Sequence, residues 1–372
     1  MQEVLFWLGA FLGHGALWVS VVNRLHGVGW RRSLIDALTL GCGMAVVGIP
    51  LIVAAVFLVS GPPSGVLLWY GWTSLAVFVG TMVARVAAPW DPWRDRRSVL
   101  ESVDAIDLTE PRVSDSDAIN RVAHWPINQL LHLHAEHRTL QLDRLPESCE
   151  GLKIAHLTDL HMSGRVHMDY YRRVVEIVND WSPDLVCVTG DIVEYPAQLD
   201  WVEPTLGRLN KPKLGAWFVL GNHDKKKIDP DQVRSRLEDC GLRDAASAPT
   251  TIAEAGVTLC GDEQPWFGGP PPLTGEESFT LCLSHSPDRF GWASENSVDL
   301  MLAGHCHGGQ VCFPLIGPLL CPSVHSVRLA SGTFRRRGSV LHVSRGTGSF
   351  FPVRMLCPPE LALLTLTGGK NG

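Results

Sequence analysis

Charged residues are scarce in this chain and almost missing from its first quarter. Asp, Glu, Lys and Arg make up 19% of the 372 residues, against roughly 25% in ordinary soluble domains. None stands between Val4 and Asn23, and none between Ala37 and Ala84. A basic surplus is lacking too: 32 Lys and Arg face 38 Asp and Glu, a net charge of −6, so no nucleic acid polymer is expected as the main partner. The ten cysteines form no C-x-x-C pair and no zinc-ribbon spacing, which excludes a disulfide scaffold and leaves reduced thiols as the default. No internal repeat is present, and 45% hydrophobic residues exclude disorder and collagen.

What fills the uncharged stretches is apolar and long. A helix needs about 20 apolar residues to cross the hydrocarbon core of a bilayer. Residues 4–23, 36–59 and 66–88 each reach that length, and Gly61-Pro62-Pro63-Ser64-Gly65 turns the chain between the second and the third. Trp18, Trp30, Trp69, Tyr70, Trp72 and Trp90 lie near the proposed ends, where aromatic belts form. The first loop carries Arg24, Arg31 and Arg32, the 61–65 turn carries no charge, and Arg85, Arg94, Arg96 and Arg97 follow the third span. The positive-inside rule then puts everything after residue 88 in the cytoplasm. Hydrophobic stretches this long and this many do not read as a cleaved signal peptide. The expectation is a three-span, all-α anchor over residues 1–88 in the inner membrane.

Residues 89–125 are rich in Asp, Arg, Ser and Pro, show little apolar periodicity, and read as a polar linker. In Leu131-His132-Leu133-His134-Ala135-Glu136-His137 the alternation puts the histidines on a solvated strand or helix face, and no metal site is assigned there. The soluble domain, 126–372, alternates short apolar strands (152–158, 185–189, 216–220, 279–283, 300–303) with stretches of helical spacing such as 168–181. An α/β fold follows, with antiparallel strands toward the carboxyl terminus.

Polar residues gather where those strands end. Asp159 and His161 follow the first, Gly190-Asp191 the second, and Gly221-Asn222-His223-Asp224 the third; Ser284-His285 and Gly304-His305-Cys306-His307-Gly308-Gly309 follow two later ones. The carboxyl ends of strands in open α/β sheets form the crevice where ligands bind, so five segments can converge on one place. An Asp-x-His or Gly-Asp alone is a weak signal, since a histidine after a strand is more often structural, and Gly-Asn-His-Asp a moderate one; five motifs in order are a strong one. Two carboxylates, one amide oxygen and four imidazoles form a mixed hard and intermediate donor set, suited to Mn²⁺, Fe or Zn²⁺ and unlike a soft thiolate site. Seven ligands exceed what one ion with an open position needs. Two divalent ions are therefore expected, the arrangement that clamps a phosphoryl group.

The series Asp159-Leu160-His161, Gly190-Asp191-Ile192-Val193-Glu194, Gly221-Asn222-His223-Asp224, His285 and Gly304-His305-Cys306-His307 resembles the calcineurin-like metallophosphoesterase superfamily. Within it, Leu283-Ser284-His285-Ser286-Pro287-Asp288, Gly308-Gly309-Gln310, Ser344-Arg345-Gly346 and Pro358-Pro359-Glu360-Leu361 resemble the bacterial, membrane-associated YkuE/YaeI-type phosphodiesterases. The likeness covers about residues 138–367 and leaves the anchor outside. It implies a metallophosphoesterase β-sandwich, two sheets flanked by helices with the metals at one edge. It also implies Asp159, His161 and His307 on one ion, Asn222, His285 and His305 on the other, and Asp191 as the bridge, with manganese favoured. His223 would be the catalytic group at the leaving oxygen, held by Asp224. Glu194 stands where many relatives have Asp, and Cys306 fills the variable place between the last two histidines; neither removes a ligand.

The expected function is a membrane-anchored, binuclear-metal hydrolase of phosphodiester or pyrophosphate bonds. Tethering favours a substrate confined to the same surface, so a lipid or lipid-linked phosphoester is the expected partner beside the membrane lipids themselves. The alternative, a metal-binding sensor or scaffold with weak catalysis, predicts loss of His223 or of a ligand, and the sequence has lost neither.

Overall fold

The uncharged stretches fold into three helices in the computed structural model, which describes residues 1–369: α1 (Gln2–Gly27), α2 (Arg32–Ser60) and α3 (Val66–Ala87). Together with Pro314–Arg328 they form one of two units; Trp93–Phe313 and the chain from Leu329 onward form the other. All three helices are long and apolar enough to cross a membrane. Large apolar side chains such as Leu8, Leu51 and Leu58 point outward, as they do where lipid is the solvent. Between helices in lipid there is little hydrophobic drive, and small residues that let backbones approach supply the packing. Gly9 and Gly13 of α1 do this against α3: a Cβ on Gly13 would stand 1.7 Å from the Ser74 carbonyl oxygen. His14 is buried, with Nδ1 2.6 Å from the Tyr70 hydroxyl and Nε2 3.1 Å from the Val46 carbonyl. It is a packed histidine.

The second unit is a sandwich. Its strands are β1 (Val99–Asp107), β2 (His132–Leu142), β3 (Lys153–Leu157), β4 (Leu185–Thr189), β5 (Ala216–Val219), β6 (Arg243–Asp244), β7 (Thr250–Ile252), β8 (Val257–Asp262), β9 (Thr280–Ser284), β10 (Leu300–Ala303), β11 (Cys312–Phe313), β13 (Gly332–Arg336), β14 (Ser339–Val343) and β15 (Glu360–Gly368); β12 (Gly317–Pro318) lies in the first unit. One sheet runs β1-β2-β15-β3-β4-β5-β6 and the other β13-β14-β10-β9-β8-β7. In the first sheet β3 to β6 run parallel, β15 joins β3 antiparallel and β2 parallel, and β1 is antiparallel at the edge; in the second β8-β9-β10-β14 run parallel between antiparallel edge strands β7 and β13.

Parallel strands covered on both faces read as continuous apolar runs, and the register explains why every residue in them is needed. Ile154, Leu185 and Cys187 face the second sheet, where they meet Leu281, Leu283, Leu300 and Leu302. Their neighbours Ala155, Leu157, Val186 and Val188 face the helical layer of α4 (Asp117–Ala123), α5 (Met168–Trp181) and α6 (Pro230–Asp239). In α5 the buried side chains are Tyr170, Tyr171, Val174, Val175 and Val178, one stripe at helical spacing. On the far face of the second sheet α7 (Phe290–Glu295) packs Phe290 and Ala293 against Met301 and Leu341. The α/β sandwich expected from the strand pattern and the resemblance is the observed fold.

Part of the 89–125 stretch differs from a linker. Residues 99–107 form β1, paired antiparallel with β2 from Val99 opposite Thr139 to Asp107 opposite His132, and residues 117–123 form α4. The charges that hide this strand have a physical source: β1 is the edge of its sheet and nearly all of its side chains are exposed, so it needs no apolar alternation and its charges guard an open edge. The neighbouring histidines lie along β2, where His137 meets Asp104 at 3.0 Å and His132 meets Asp107 at 3.6 Å.

Candidate metal centre

Each candidate residue stands just past the carboxyl end of a strand. β3 ends at Leu157, before Asp159 and His161; β4 at Thr189, before Asp191; β5 at Val219, before Asn222 and His223. In the second sheet β9 ends at Ser284, next to His285, and β10 at Ala303, before His305 and His307. The chain turns so sharply here that five of these residues take left-handed backbone, with φ of 52° at Asp159, 48° at His161, 52° at Asp191, 70° at His305 and 50° at His307. Such a conformation costs a residue with a side chain about 1–3 kcal/mol. Hydrogen bonds that extend the sheet beyond its strands hold it: Asp159 N–H to Gly190 O at 3.0 Å, His161 N–H to Asp191 O at 2.9 Å and Met162 N–H to Ile192 O at 2.9 Å.

The side chains converge. Asp159, His161 and His307 form one group of close donor atoms, and Asp191, His285 and His305 a second. His161 Nε2 is 2.9 Å from His307 Nε2, and His307 Nε2 is 3.3 Å from Asp159 Oδ1. In the second group His285 Nε2 is 3.1 Å from His305 Nδ1. Asp191 links the two, for its Oδ2 lies 3.2 Å from His285 Nε2 and 3.6 Å from His161 Nε2, while its Oδ1 accepts the His223 N–H at 2.8 Å. Asn222 Oδ1 is buried with no hydrogen-bond partner.

This arrangement fits cations. A buried acceptor left without a donor, as Asn222 Oδ1 is, calls for an explanation, and a bound ion is one. The electrostatics agree. Burial works against a charged Asp191, yet His285 and His223 beside it hold its carboxyl well below the usual range. Burial also works against a charged His285, yet Asp191 and Asp159 hold it up at about 9. A pocket that keeps a buried imidazole protonated is one that attracts positive charge. Burial, with His161 and Arg354 nearby, holds His307 well below its usual value, so its ring is neutral and able to ligate.

Carboxylates and carbonyls outside the two groups orient the rings, as partners of metal-binding histidines usually do. His161 Nδ1 meets Glu194 Oε1 at 2.9 Å, and His285 Nδ1 donates to the Thr189 carbonyl at 2.7 Å. Glu194 also lies 3.5 Å from His223 Nδ1 and pairs with Arg165 at 3.1 Å. Asp224, which the resemblance puts behind His223, is engaged elsewhere: Oδ1 accepts the Ile192 and Val193 N–H groups at 2.8 and 3.0 Å, and Oδ2 accepts Gly221 N–H at 2.8 Å. Glu194 is the carboxylate that faces the His223 ring. The reason is the left-handed turn at Asp191, which aims the following backbone N–H groups at Asp224 and leaves its oxygens full. Burial and the Asp191 charge push Asp224 up to about 6 in spite of those bonds.

Three further contributors had little local signal. Arg354 is fully buried and donates to the carbonyls of Arg345, Gly348 and Cys357 at 2.8, 2.5 and 3.2 Å, bracing the loop behind His307; nothing in Val353-Arg354-Met355 announces this. Trp266 lies tilted against His305 and His285, with ring centroids 4.8 and 5.4 Å away, and Phe350 lies 5.1 Å from His223. Lone aromatics in loops rich in Gly and Pro are the only hint the sequence offers. Glu194 was visible as an acidic residue three positions after Asp191, but not its two histidine partners.

The family description "Calcineurin-like phosphoesterase" matches residues 152–309. The chain is 30% identical over 228 residues to the phosphodiesterase YaeI of Escherichia coli, covering 59% of this chain and 84% of that one. It is 29% identical over 242 residues to the uncharacterized metallophosphoesterase YkuE of Bacillus subtilis, covering 61% and 83%. A transmembrane protein with metallophosphoesterase domain from Danio rerio is 27% identical over 259 residues, covering 61% and 56%.

The geometry of Asp224 sets a test of its role. An amide offers one acceptor oxygen where Asp224 uses two, so Asp224→Asn should lose about 1–3 kcal/mol of stability. Asp224→Ala, which strips all three N–H groups, should lose more, and thermal unfolding of the purified protein measures both. Wild-type stability in Asp224→Ala would mean that those N–H groups do not depend on this carboxylate.

Proposed function

The chain belongs to the calcineurin-like phosphoesterase family and is a metal-dependent phosphoesterase; from that premise we propose that it hydrolyses phosphodiester or pyrophosphate bonds with two divalent ions held where its strands end. The observation that carries this reading is the position of Asp191, one of whose oxygens lies within 3.6 Å of ring nitrogens from both donor groups. Asp159, His161 and His307 would hold one ion, Asn222, His285 and His305 the other, and Asp191 would bridge. The donor mix suits Mn²⁺, Fe or Zn²⁺, and of these manganese is the ion proposed, from the family resemblance. A divalent pair supplies Lewis acidity to the phosphoryl group and acidifies water.

The remaining chemistry falls to the protein's own side chains. Burial pushes His223 down to about 4, so the free ring is neutral. An anionic phosphoester beside it raises its affinity for a proton, which it can pass to the leaving oxygen as general acid. With Nδ1 turned to Glu194, Nε2 is the atom free to do so. Trp266 and Phe350 wall the site on the His305 and His223 sides, limiting the water around the reacting group. A sensor or scaffold would have no need to keep His223 and the seven proposed ligands together.

Two substitutions separate binding from chemistry. Asp191→Asn should lower metal content from about two ions per chain to one or none by elemental analysis. His223→Ala should keep the metal and cut turnover by about 10²–10⁴. Metal loss in step with activity in His223→Ala would make it a ligand, and unchanged stoichiometry in Asp191→Asn would remove it from the bridge.

The proposal extends to place and substrate. Arg24, Arg31, Arg32 and Arg85 flank the spans on one side and the 61–65 turn carries no charge, which supports a multi-pass inner-membrane protein with its catalytic unit in the cytoplasm. Reporter fusions ending at Gly27 and at Val103 should report cytoplasm and one within residues 61–65 the opposite side; a reversed pattern would invert this topology. A lipid or lipid-linked phosphoester is the proposed substrate, because an anchored enzyme gains effective concentration only toward what shares its surface. With full-length protein in vesicles, kcat/KM for a vesicle-borne phosphodiester should exceed that for a short-chain soluble analogue of the same headgroup by about 10-fold or more. Equal values would make the anchor a localisation device only.

A further inference from the structure

The segment Pro314–Arg328 belongs to the helical unit although it lies far from it in sequence. From residue 314 to residue 327 it contains no Asp, Glu, Lys or Arg. It is fastened to the ends of two apolar helices. Asn23, in the last turns of α1 and only 3% exposed, donates from Nδ2 to the Leu319 carbonyl at 2.8 Å and to Ser326 Oγ at 3.1 Å, and its Oδ1 accepts the Cys321 N–H at 3.0 Å. Arg85, near the end of α3, donates to the Pro318 carbonyl at 2.6 Å. At the last residue of α1, Gly27, a Cβ would stand 2.4 Å from Val324 N, so backbone lies directly on backbone. A forked pair from Arg328 to Asp91, 2.6 Å on each arm, closes the segment.

These ties fix its depth. Asn23 and Arg85 are where the uncharged runs of α1 and α3 stop, and Trp30 and Trp90, both exposed, follow the same helix ends. That combination of arginine and tryptophan marks the boundary between hydrocarbon and headgroups. Carbonyls 318 and 319 are held at this level. Around them Leu315 is fully exposed, Leu320 is 57% exposed, and Ile316 and Leu319 are more than a third exposed. Four large aliphatic side chains within six residues, presented outward on a rigidly tied loop with no charge among them, form an unpartnered apolar surface that needs an occupant.

We propose that residues 314–328 form a membrane-interface finger, with Leu315, Ile316, Leu319 and Leu320 lodged in the headgroup and upper acyl region of the bilayer that α1–α3 span. The occupant is lipid because the surface is continuous with the lipid-facing helices and its backbone is hydrogen-bonded to their ends. The geometry is that of an interfacial segment, apolar on one side and lying along the boundary, and not of a further span, for which it is too short. Proline at 314, 318 and 322 and glycine at 317 exclude a helix through the segment, so its apolar residues cannot be explained as the buried stripe of one. In the chain it begins seven residues after His307, so contact with lipid is made directly downstream of a proposed ligand.

The test uses the full chain reconstituted in phosphatidylcholine–phosphatidylglycerol vesicles, with a dansyl-bearing amino acid in place of Leu315 and, in a second protein, of Leu320. Both positions are exposed, so neither replacement disturbs a core. Phosphatidylcholine brominated high on its acyl chains should reduce the emission about two-fold or more at both positions, and iodide in the buffer should have little effect, as for a group at interfacial depth. Strong quenching by iodide with none by the brominated lipid would place the finger in water and overturn the proposal. Quenching by neither, the result a second copy of the chain seated on the finger would give, would overturn it as well.

Discussion

A carboxylate sealed among imidazoles stays charged only if positive charge is kept beside it, and the catalytic unit is arranged around that demand at Asp191. Its two oxygens have different duties: Oδ1 accepts the His223 N–H, and Oδ2 faces ring nitrogens of His285 and His161. The surrounding protein answers with imidazoles from both sheets, which is why the carboxyl ends of β3, β4, β5, β9 and β10 must meet at one edge. A sandwich whose sheets packed differently would leave either the carboxylates or the histidines without their counterparts. Divalent cations meet the same demand more completely than protons on His285 do.

Keeping these groups close has a local cost, borne by the backbone. Five residues of the centre sit in left-handed conformation, and glycine could have relieved each of them only by deleting the side chain the site requires. Structure around them compensates. Asp224 gathers three N–H groups from the turns after β4 and β5, and the buried Arg354 guanidinium gathers carbonyls from the loop behind His307. Glu194 faces both His161 and His223, so one carboxylate orients a proposed ligand and the proposed acid together. None of these groups touches the reacting atoms in the proposed scheme, yet each sets where a reacting or ligating atom stands.

The helical unit solves another problem with other means. A candidate membrane anchor whose large apolar side chains point outward, it is held by close backbone approach at Gly9 and Gly13 and by polar groups that find partners, His14 with Tyr70 and Asn23 with the 319–326 backbone and side chains. Asn23 is a polar residue at the end of an otherwise apolar run, and the tie it makes gives its amide partners there.

How much of this could be read in the sequence follows from which forces act locally. The three apolar helices were legible because length and absence of charge are properties of a continuous segment. The alternation of strand and helix, and the placing of every polar motif at a strand end, were legible because burial on both faces of a parallel sheet leaves an unbroken apolar run that stops where the site begins. The edge strand at 99–107 was not, since a strand exposed to solvent carries no apolar pattern and its charges resemble those of a linker. Nor could the sequence decide which carboxylate faces His223: Asp224 is adjacent in the chain, but the turn at Asp191 spends its oxygens on backbone N–H groups and leaves Glu194, 29 residues away, to face the ring. The docking of 314–328 on α1 and α3 was equally hidden. Sequence alone determined the apolar helices, the buried strands and the residue types at their ends, because these depend on near neighbours and on solvent. Tertiary structure alone decided which of those residues meet, because hydrogen bonds and buried charges are satisfied by whatever the fold brings within about 3 Å, whatever the distance along the chain.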